Sequence, residues 1–181
     1  MFEYFYNEIF RSVIIGFGSL FNGIEIKKGD SIIKVPLAYG PTQKFLARMQ
    51  QEADLNKPVS ITLPRMSFEF LGLQYDSSRK STQTQTIINQ TPDGANVKRN
   101  YLPVPYNMRF ELSIMTKLND DMLQIIEQIL PYFQPAYQLP INFLGNLKEK
   151  RDVPINLDNI SMEDDYEGNF DTRRALIYTL S

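Results

Sequence analysis

The chain has 181 residues and a formal net charge of −2, with 43% hydrophobic and 22% charged residues, values that are typical of a globular domain and argue against wholesale disorder. It contains no cysteine and no histidine, which excludes disulfides, thiolate nucleophiles, cysteine-ligated metals and a Ser-His-Asp triad. The small net charge gives no general reason to bind nucleic acid or an anionic membrane, and no apolar stretch reaches the ~20 residues of a membrane span.

The first fifty residues predict two helices on either side of a β-hairpin. Asn7 to Leu20 carries apolar residues at spacings of three and four, which predicts an amphipathic helix capped by Asn7. Gly16 and Gly18 are too few for a nucleotide-binding loop, so we expect close helix packing there. Residues 24–35 alternate around the turn sequence KKGD, which predicts the hairpin, and helical spacing returns from Pro41 to Ala53.

A strand is predicted over residues 59–74, and its apolar positions change parity part-way. They are odd-numbered at Ile61 and Leu63 but even-numbered from Met66 onwards. One extra residue in the strand would bring both sets to a single face, so we expect a β-bulge at Pro64-Arg65.

A polar tract rich in Ser, Thr, Gln and Asn follows from Asp76 to Asn100. A wholly unstructured loop of this length is improbable inside a compact domain. The sequence TQTQTIIN favours a strand and TPDGAN favours a turn, so the tract predicts, over about residues 75–105, either a long projecting hairpin or an arm that becomes ordered only against a partner.

The strongest secondary-structure pattern comes next. Tyr106 to Lys117 alternates apolar and polar residues, which predicts a strand with one buried face. A helix is predicted from Asn119, its N-cap, to Leu130, with Asp120 and Asp121 at the positive end of the helix dipole and Pro131 as the terminator. Its expected buried stripe is Met122, Ile125, Ile126, Ile129 and Leu130.

The remainder predicts extended structure. PYFQPAYQLPINF is stiffened by proline, and both KRDVPINLDNI and RRALIYTLS are typical of strands. Together the elements predict a single α+β domain over residues 1–181, in which a twisted, mostly antiparallel or mixed sheet is packed by two to three helices and carries the projecting β-hairpin arm.

Carboxylates are the acid-base groups that the composition leaves. Seven acidic residues and no basic one lie between Asp152 and Asp171, where MEDDYEGNFD lacks the alternating spacing of a calcium loop. We therefore expect a solvated acidic loop there, and helix-end roles rather than metal binding for Asp120 and Asp121. No catalytic, cofactor-binding or metal residue is assigned; a carboxylate-metal hydrolase stays a remote alternative that a metal titration would test.

Basic residues concentrate at the base of the predicted arm. Arg79, Lys80, Lys98 and Arg99 either end their elements in solvent or form a patch that meets the acidic segment across a subunit boundary. An acidic segment could instead line a passage for DNA and keep the DNA from adhering. Both alternatives remain open from the sequence.

The helix segment DDMLQIIEQILPYFQP, with the strand ELSI before it, resembles the corresponding segment of a known family. It is similar to the tail sheath stabiliser and completion proteins of T-even-like contractile-tailed phages. MFEYFYN, SLFNGIEIKK, IIKVPLAYG, LPR and KRD also resemble that family, in the same order. The resemblance covers most of the chain and is weakest in the polar tract and at the C-terminus.

The resemblance implies a structural virion protein with no enzyme activity and no cofactor. It implies a homohexameric ring at the tail–neck junction, assembled in the host cytoplasm, that binds the tail tube, the tail sheath and the neck or head-completion proteins, while DNA passes through unbound and no membrane is involved. Another neck or baseplate ring protein is the alternative. The interface residues expected are Arg79, Lys80, Lys98, Arg99, Asp120, Asp121, Gln124, Gln128, Tyr132, Phe133, Gln134, Asp164 and Asp165.

Overall fold

The computed structural model describes residues 4, 6–50, 62–82, 84–90, 97–144, 149–165 and 175–181. The helices in that part of the chain are α1 (Ile9–Leu20), α2 (Thr42–Gln50) and α3 (Asn119–Ile129), and a 3₁₀ helix at Leu130–Tyr132 continues α3. The strands are β1 (Glu25–Lys28), β2 (Ser31–Lys34), β3 (Leu37–Tyr39), β4 (Arg65–Tyr75), β5 (Thr86–Gln90), β6 (Val97–Tyr101), β7 (Tyr106–Thr116), β8 (Ala136–Leu144), β9 (Glu149–Asn156), β10 (Ile160–Asp165) and β11 (Ala175–Leu180).

Five strands form the central sheet, in the order β10-β11-β7-β4-β3. All neighbouring strands are antiparallel except β3, which runs parallel to β4. The hairpins β1–β2, β5–β6 and β8–β9 each form a separate two-stranded sheet. The predicted α+β fold, with a mixed and mostly antiparallel sheet and a separate arm hairpin at β5–β6, is thereby confirmed. The TPDGAN turn of that arm lies outside the described residues.

The main core lies between one face of the central sheet and helices α1 and α3. Phe17 of α1 and Ile125 of α3 share one apolar cluster with Phe68 of β4 and Leu112 of β7. Met122 and Ile129 on the same stripe of α3 are also buried, whereas Ile126 and Leu130 are half-buried at its margin. The prediction that α3 docks on the β7 strand face is therefore confirmed.

Helix α2 covers the opposite face of the sheet at one end. Its Phe45 packs with Met115 of β7 and Ile177 of β11. Successive side chains of a strand point to opposite faces, so these two residues lie on the face away from α1 and α3. Both faces of β7 are consequently buried from Leu112 to Thr116. The predicted alternation holds only at the other half of the strand, because sequence alternation alone did not indicate a second covering helix.

The change of parity near Pro64 also arises because both faces of the sheet are covered. The predicted bulge at Pro64-Arg65 is not present. Strand β4 begins at Arg65, after Pro64, and the register shift of the β4–β7 pair lies between Phe70 and Gly72. Leu63 packs with the α2 cluster, whereas Met66 belongs to the main core on the other face. Two apolar faces, rather than one extra residue, explain the odd and even positions; Ile61 lies outside the described residues.

Two predicted N-caps are wrong. The N-cap of α1 is Glu8, in a left-handed conformation with φ 53°, so Asn7 lies outside the helix. The N-cap of α3 is Leu118, in an extended conformation because the chain arrives directly from β7, and Asn119 is already helical. The predicted end of the helix is confirmed within one residue: α3 ends at Ile129 with Leu130 as its C-cap, and Pro131 lies in the 3₁₀ turn that follows.

The acidic segment is not the predicted loop in its described part. It forms the end of β9 and then β10, which pairs along its full length with β11. Ile160 and Met162 alternate with polar residues in β10, and this weak alternation is outweighed in the sequence by the run of carboxylates. Glu167 and Asp171 of the same segment lie outside the described residues.

Candidate interaction surfaces

Gln124 and Gln128, two of the residues expected at an interface, bind α3 to the edge of β1. The Lys27 amide donates to Gln124 Oε1 at 2.9 Å, and Gln124 Nε2 donates to the Lys27 carbonyl at 3.3 Å. One turn later, the Glu25 amide donates to Gln128 Oε1 at 3.4 Å, and Gln128 Nε2 donates to the Glu25 carbonyl at 2.7 Å. Each side-chain amide thus pairs with a strand residue as a neighbouring strand would.

The spacing of the two elements makes this pairing possible. Four residues of a helix rise about 6 Å and two residues of a strand rise about 6.6 Å, so positions i and i+4 of α3 match alternate residues of β1. The even-numbered side of β1 faces β2, as the bond from the Val35 amide to the Ile24 carbonyl at 2.9 Å shows. The glutamines therefore close the edge of β1 that β2 leaves open.

Asp121 extends this contact. Its carboxylate, with a side chain only 4% exposed, lies 2.8 Å from Nζ of Lys28. Asp121 lies in the first turn of α3, as predicted, and is in addition a buried ion-pair partner; α3 has no side-chain capping bond. Asp120 remains exposed and accepts a bond from Gln124 Nε2 at 3.1 Å.

The base of the arm is held by a second polar group. Asp76 accepts bonds from the Ser78 hydroxyl and the Arg79 guanidinium, and Arg79 Nη2 also donates to Asn107 Oδ1 of β7 at 2.6 Å. These bonds, first that of Ser78 and then that of Arg79, lower the pKa of Asp76 to about 2. Arg79 therefore fixes the arm to the sheet, whereas Lys80 and Arg99 are exposed and Lys98 lies in β6 opposite Asn89.

The segment after α3 presents one aromatic ring outward and one inward. Tyr132 is 64% exposed and meets Tyr137 edge-on, with 6.4 Å between ring centroids. Phe133 is half-buried against the main core and stacks with Phe21 at 6.4 Å. Gln134 is exposed. Tyr132 and Gln134 are thus accessible to a partner, while Phe133 mainly anchors the segment.

Exposed apolar side chains that the sequence did not single out accompany these residues. On the arm and its base they include Ile88, Val97, Tyr101 and Val104. On strand edges they include Ile32 of β2 and Met162 of β10, and Asp164 is exposed on the latter strand next to Asp165. The strand order shows why these side chains are exposed, since β2 and β10 lie at edges.

No group of three or more carboxylates that could hold a metal ion exists among the residues described. Among those same residues, no helix is long and apolar enough to cross a bilayer. The protein exposes strand edges, aromatic rings and segregated charges. These are features of surfaces that bind other proteins.

Comparison with known proteins decides the family. The family model described as T4-like virus Myoviridae tail sheath stabiliser matches residues 4–181 of the sequence. The chain belongs to this tail sheath stabiliser family. It is 33% identical over 195 aligned positions to the tail completion protein gp15 of Enterobacteria phage T4, and the alignment covers 100% of this chain and 70% of that relative.

Membership makes the chain a structural protein of the virion tail. The resemblance found in DDMLQIIEQILPYFQP is thereby confirmed and extends over nearly the whole chain. Three polar side chains of that segment, Asp121, Gln124 and Gln128, bind the β1–β2 hairpin of the same chain.

Proposed function

We propose that this tail sheath stabiliser forms a closed homohexameric ring that terminates the tail tube and the tail sheath and offers a docking surface to the neck. The observation that carries this proposal is the match over the full chain to a family described as sheath stabilisers, together with a relative named a tail completion protein. Head-to-tail contacts between identical subunits close into rings when the rotation allows it.

The exposed apolar surface supports a protein built for assembly. Tyr101 is 79% exposed, and Tyr75 and Tyr106, which pair edge-on at 5.6 Å, lie half-exposed at the far end of the β4–β7 pair. Tyrosine is favoured where a surface must be apolar and polar at once. We assign this end of the sheet and the adjoining arm to contacts with the tail tube or the tail sheath.

The charged residues of β10 and of the arm support further contacts between the ring and other proteins. The acidic strand β10, with Asp164 and Asp165, is proposed to face a basic surface of a neighbouring protein, and Lys80, Arg99 and Lys98 at the arm provide a basic surface of their own. Asp120, Tyr132 and Gln134 are proposed to contact the neck proteins. DNA passes through the ring without specific binding, and the ring assembles in the host cytoplasm without enzymatic activity or a cofactor.

Cryo-electron microscopy of the purified protein mixed with tail tubes tests this proposal. The expected result is one six-fold ring at the tube end that receives the sheath and the neck. Free protein that is monomeric by light scattering is compatible with this result, because the tube end can nucleate the ring. Monomers or two-fold dimers on the ends of assembled tails would contradict the ring, and rings bound to the baseplate or neck alone would favour another connector role.

A further inference from the structure

Two strands of the described structure have an edge that no other described strand occupies and are exposed on both faces. β2 pairs only with β1, and its Ile32 and Ile33 are 69% and 40% exposed. β10 pairs only with β11, and its Ile160 and Met162 are 41% and 52% exposed. An exposed edge of this kind is a template for pairing with another chain unless it is covered.

The two edges belong to different sheets of the protomer, β2 to the β1–β2 hairpin and β10 to the central sheet. β10 is the first strand of the central sheet and β3 is the last, and four interstrand spacings of about 4.8 Å separate them by roughly 19 Å. β2 is joined to β3 by Val35 and Pro36 alone. β10 and β2 are not paired within one chain, so one chain can offer β10 where the next offers β2.

The polar contact with α3 leaves the β1–β2 hairpin one open edge. Gln124 and Gln128 occupy the backbone groups of Lys27 and Glu25, so β1 cannot accept a second strand. Among the edges of the central sheet, β3 is only three residues long, whereas β10 has six residues. Of the two edge strands of the central sheet, β10 therefore offers β2 the longer backbone edge, over the four residues of β2.

The side chains make this pairing selective. β2 carries a single charged residue, Lys34, and β10 carries Glu163, Asp164 and Asp165. Opposite charges on paired strands attract, and like charges repel. Two β10 strands would repel each other, which disfavours a two-fold dimer at this edge, while the apolar residues of β2 and β10 can cover one another.

We propose that β10 of one protomer pairs with β2 of its neighbour, so that backbone hydrogen bonds between edge strands join successive copies of the ring. This inference rests on the ring of the proposed function and assigns the surfaces that close it. The contact is heterologous, because the two strands differ, and repeated heterologous contacts generate a ring and not a dimer. The basic residues of the arm are then left for another partner.

A charge exchange between two variants tests the pairing. Mixing the variants distinguishes a lost contact from a folding defect. Lys34→Glu alone places like charges at every subunit contact, and so does Glu163→Lys alone, so each weakens ring formation about fivefold. In an equimolar mixture, alternating copies restore opposite charges at all contacts, and ring formation recovers. Occupancy of tail-tube ends is counted by electron microscopy for each variant and for the mixture.

Circular dichroism of each variant serves as the folding control, and Lys44→Glu with Glu69→Lys, on α2 and in the middle of β4, provides the matched control pair. Recovery in the mixture supports the pairing, because a local folding defect in one variant is not repaired by a defect in another. Rings that form normally from each single variant overturn the edge pairing and leave the ring itself intact. Absence of rings from the unaltered protein overturns the proposed function as well.

A disulfide test measures the contact directly. Because the chain contains no cysteine, Ile32→Cys combined with Met162→Cys, and in a second variant with Ser161→Cys, introduces one pair of thiols per copy on either face of β10. Paired strands bring Cα atoms within the ~4.4–6.8 Å that a disulfide requires. Oxidation on tail tubes is expected to give a ladder of covalent oligomers up to the full ring. Rings without a ladder in either variant, or an equal ladder from Ile32→Cys with Ile88→Cys, contradict the pairing.

Discussion

At the scale of single residues, Gly18 shows how little space separates α1 from the sheet. A Cβ atom built at this position would lie 2.7 Å from Cζ of Phe68, and one built at Gly16 would lie 3.1 Å from Cδ2 of Leu139. Two neighbouring glycines thus let α1 approach the central sheet on one side and the β8–β9 hairpin on the other. The expected close packing of this helix is confirmed, and the absence of a side chain is its physical reason.

Replacing Gly18 by alanine is therefore expected to destabilise the protein, although alanine is the better helix former. The added methyl group must displace the ring of Phe68, which is 7% exposed and enclosed by Phe17 and Tyr39, at a cost of about 1–3 kcal/mol. Urea unfolding measures the change. Gly23→Ala is the control, because nothing lies within 4 Å of its Cβ position; equal stability of the two variants would contradict the packing.

Asp76 provides a pH-dependent contact at the base of the arm. Its pKa of about 2 lies below the ordinary value of 3.8, so the carboxylate is stabilised in the folded state. The contribution is complete above pH ~4, where the unfolded group is ionised, and is lost as the pH falls through 2. The Ser78 amide, which donates to Asp76 Oδ1 at 2.9 Å, reports directly on this bond.

We expect the carboxyl carbon of Asp76 to titrate in NMR spectra with a midpoint near pH 2, and the Ser78 amide signal to move with it. Asp76→Asn removes the charge and should increase hydrogen exchange at the Ser78 amide at neutral pH. Arg79→Gln is the matched variant, expected to raise the pKa of Asp76 by removing the guanidinium. A midpoint near 3.8 in the unaltered protein would contradict the described geometry.

At the scale of elements, α3 shows both what the sequence predicts and what it does not. The helical spacing of its apolar residues identifies the buried stripe. Apolar side chains are removed from water regardless of which element packs on them. Its polar face gives no comparable indication, because a glutamine that pairs with a strand and one that binds a partner look alike in sequence. Gln124 and Gln128 were therefore expected at an interface, and the strand that they bind became visible only in three dimensions.

Truncation of the stripe should follow burial and not position in the pattern. Ile125 is fully buried, so Ile125→Ala is expected to cost about 2–5 kcal/mol in the free energy of unfolding. Ile126 is half-buried at the margin of the same core, so Ile126→Ala should cost clearly less. Denaturant melts of the two variants provide the comparison, and a larger loss at Ile126 would mean that α3 is rotated relative to its described position.

The arm is expected to be separable from the core. β5 and β6 pair only with each other in the described structure, and their exposed residues include Ile88, Val97 and Tyr101. Replacing residues 79–99 by a short Gly-Ser turn should leave the melting temperature nearly unchanged while abolishing tail completion, because an exposed hairpin contributes through its partner. Unfolding of the deletion variant, or normal capping of tubes by it, would each exclude this role.

At the scale of the whole molecule, the charges are segregated within a chain of net charge −2. A single exposed ion pair contributes about 0–1 kcal/mol, so only a group of pairs acting together matters for assembly. Such a group is screened over a Debye length of about 8 Å at physiological salt. The strand β10 concentrates acidic residues at one edge of the sheet, and ring assembly should accordingly depend on salt.

Neutralising Asp164 and Asp165 together as asparagines is expected to lower ring occupancy on tail tubes at low salt and to flatten its salt dependence. Glu127→Gln, on the exposed side of α3, is the control for a loss of charge elsewhere. Occupancy is measured by electron microscopy at low and high salt. If the acidic strand instead lines the DNA passage, assembly is unchanged and only the retention of DNA is altered, so equal occupancy at both salt concentrations excludes the interface.

The attachment of the β1–β2 hairpin to α3 has a consequence for angles. Asp121, Gln124 and Gln128 hold it at three points spread over about 10 Å of the helix axis, and an object fixed at several points along a line resists swinging as well as sliding. The direction in which β2 faces outward is thereby tied to the core. In a closed ring every copy repeats the same angular error, so a deviation of a few degrees is multiplied by the number of copies. In the proposed ring, the three side chains of α3 would thus limit the angular misfit at the subunit contact that closes the ring.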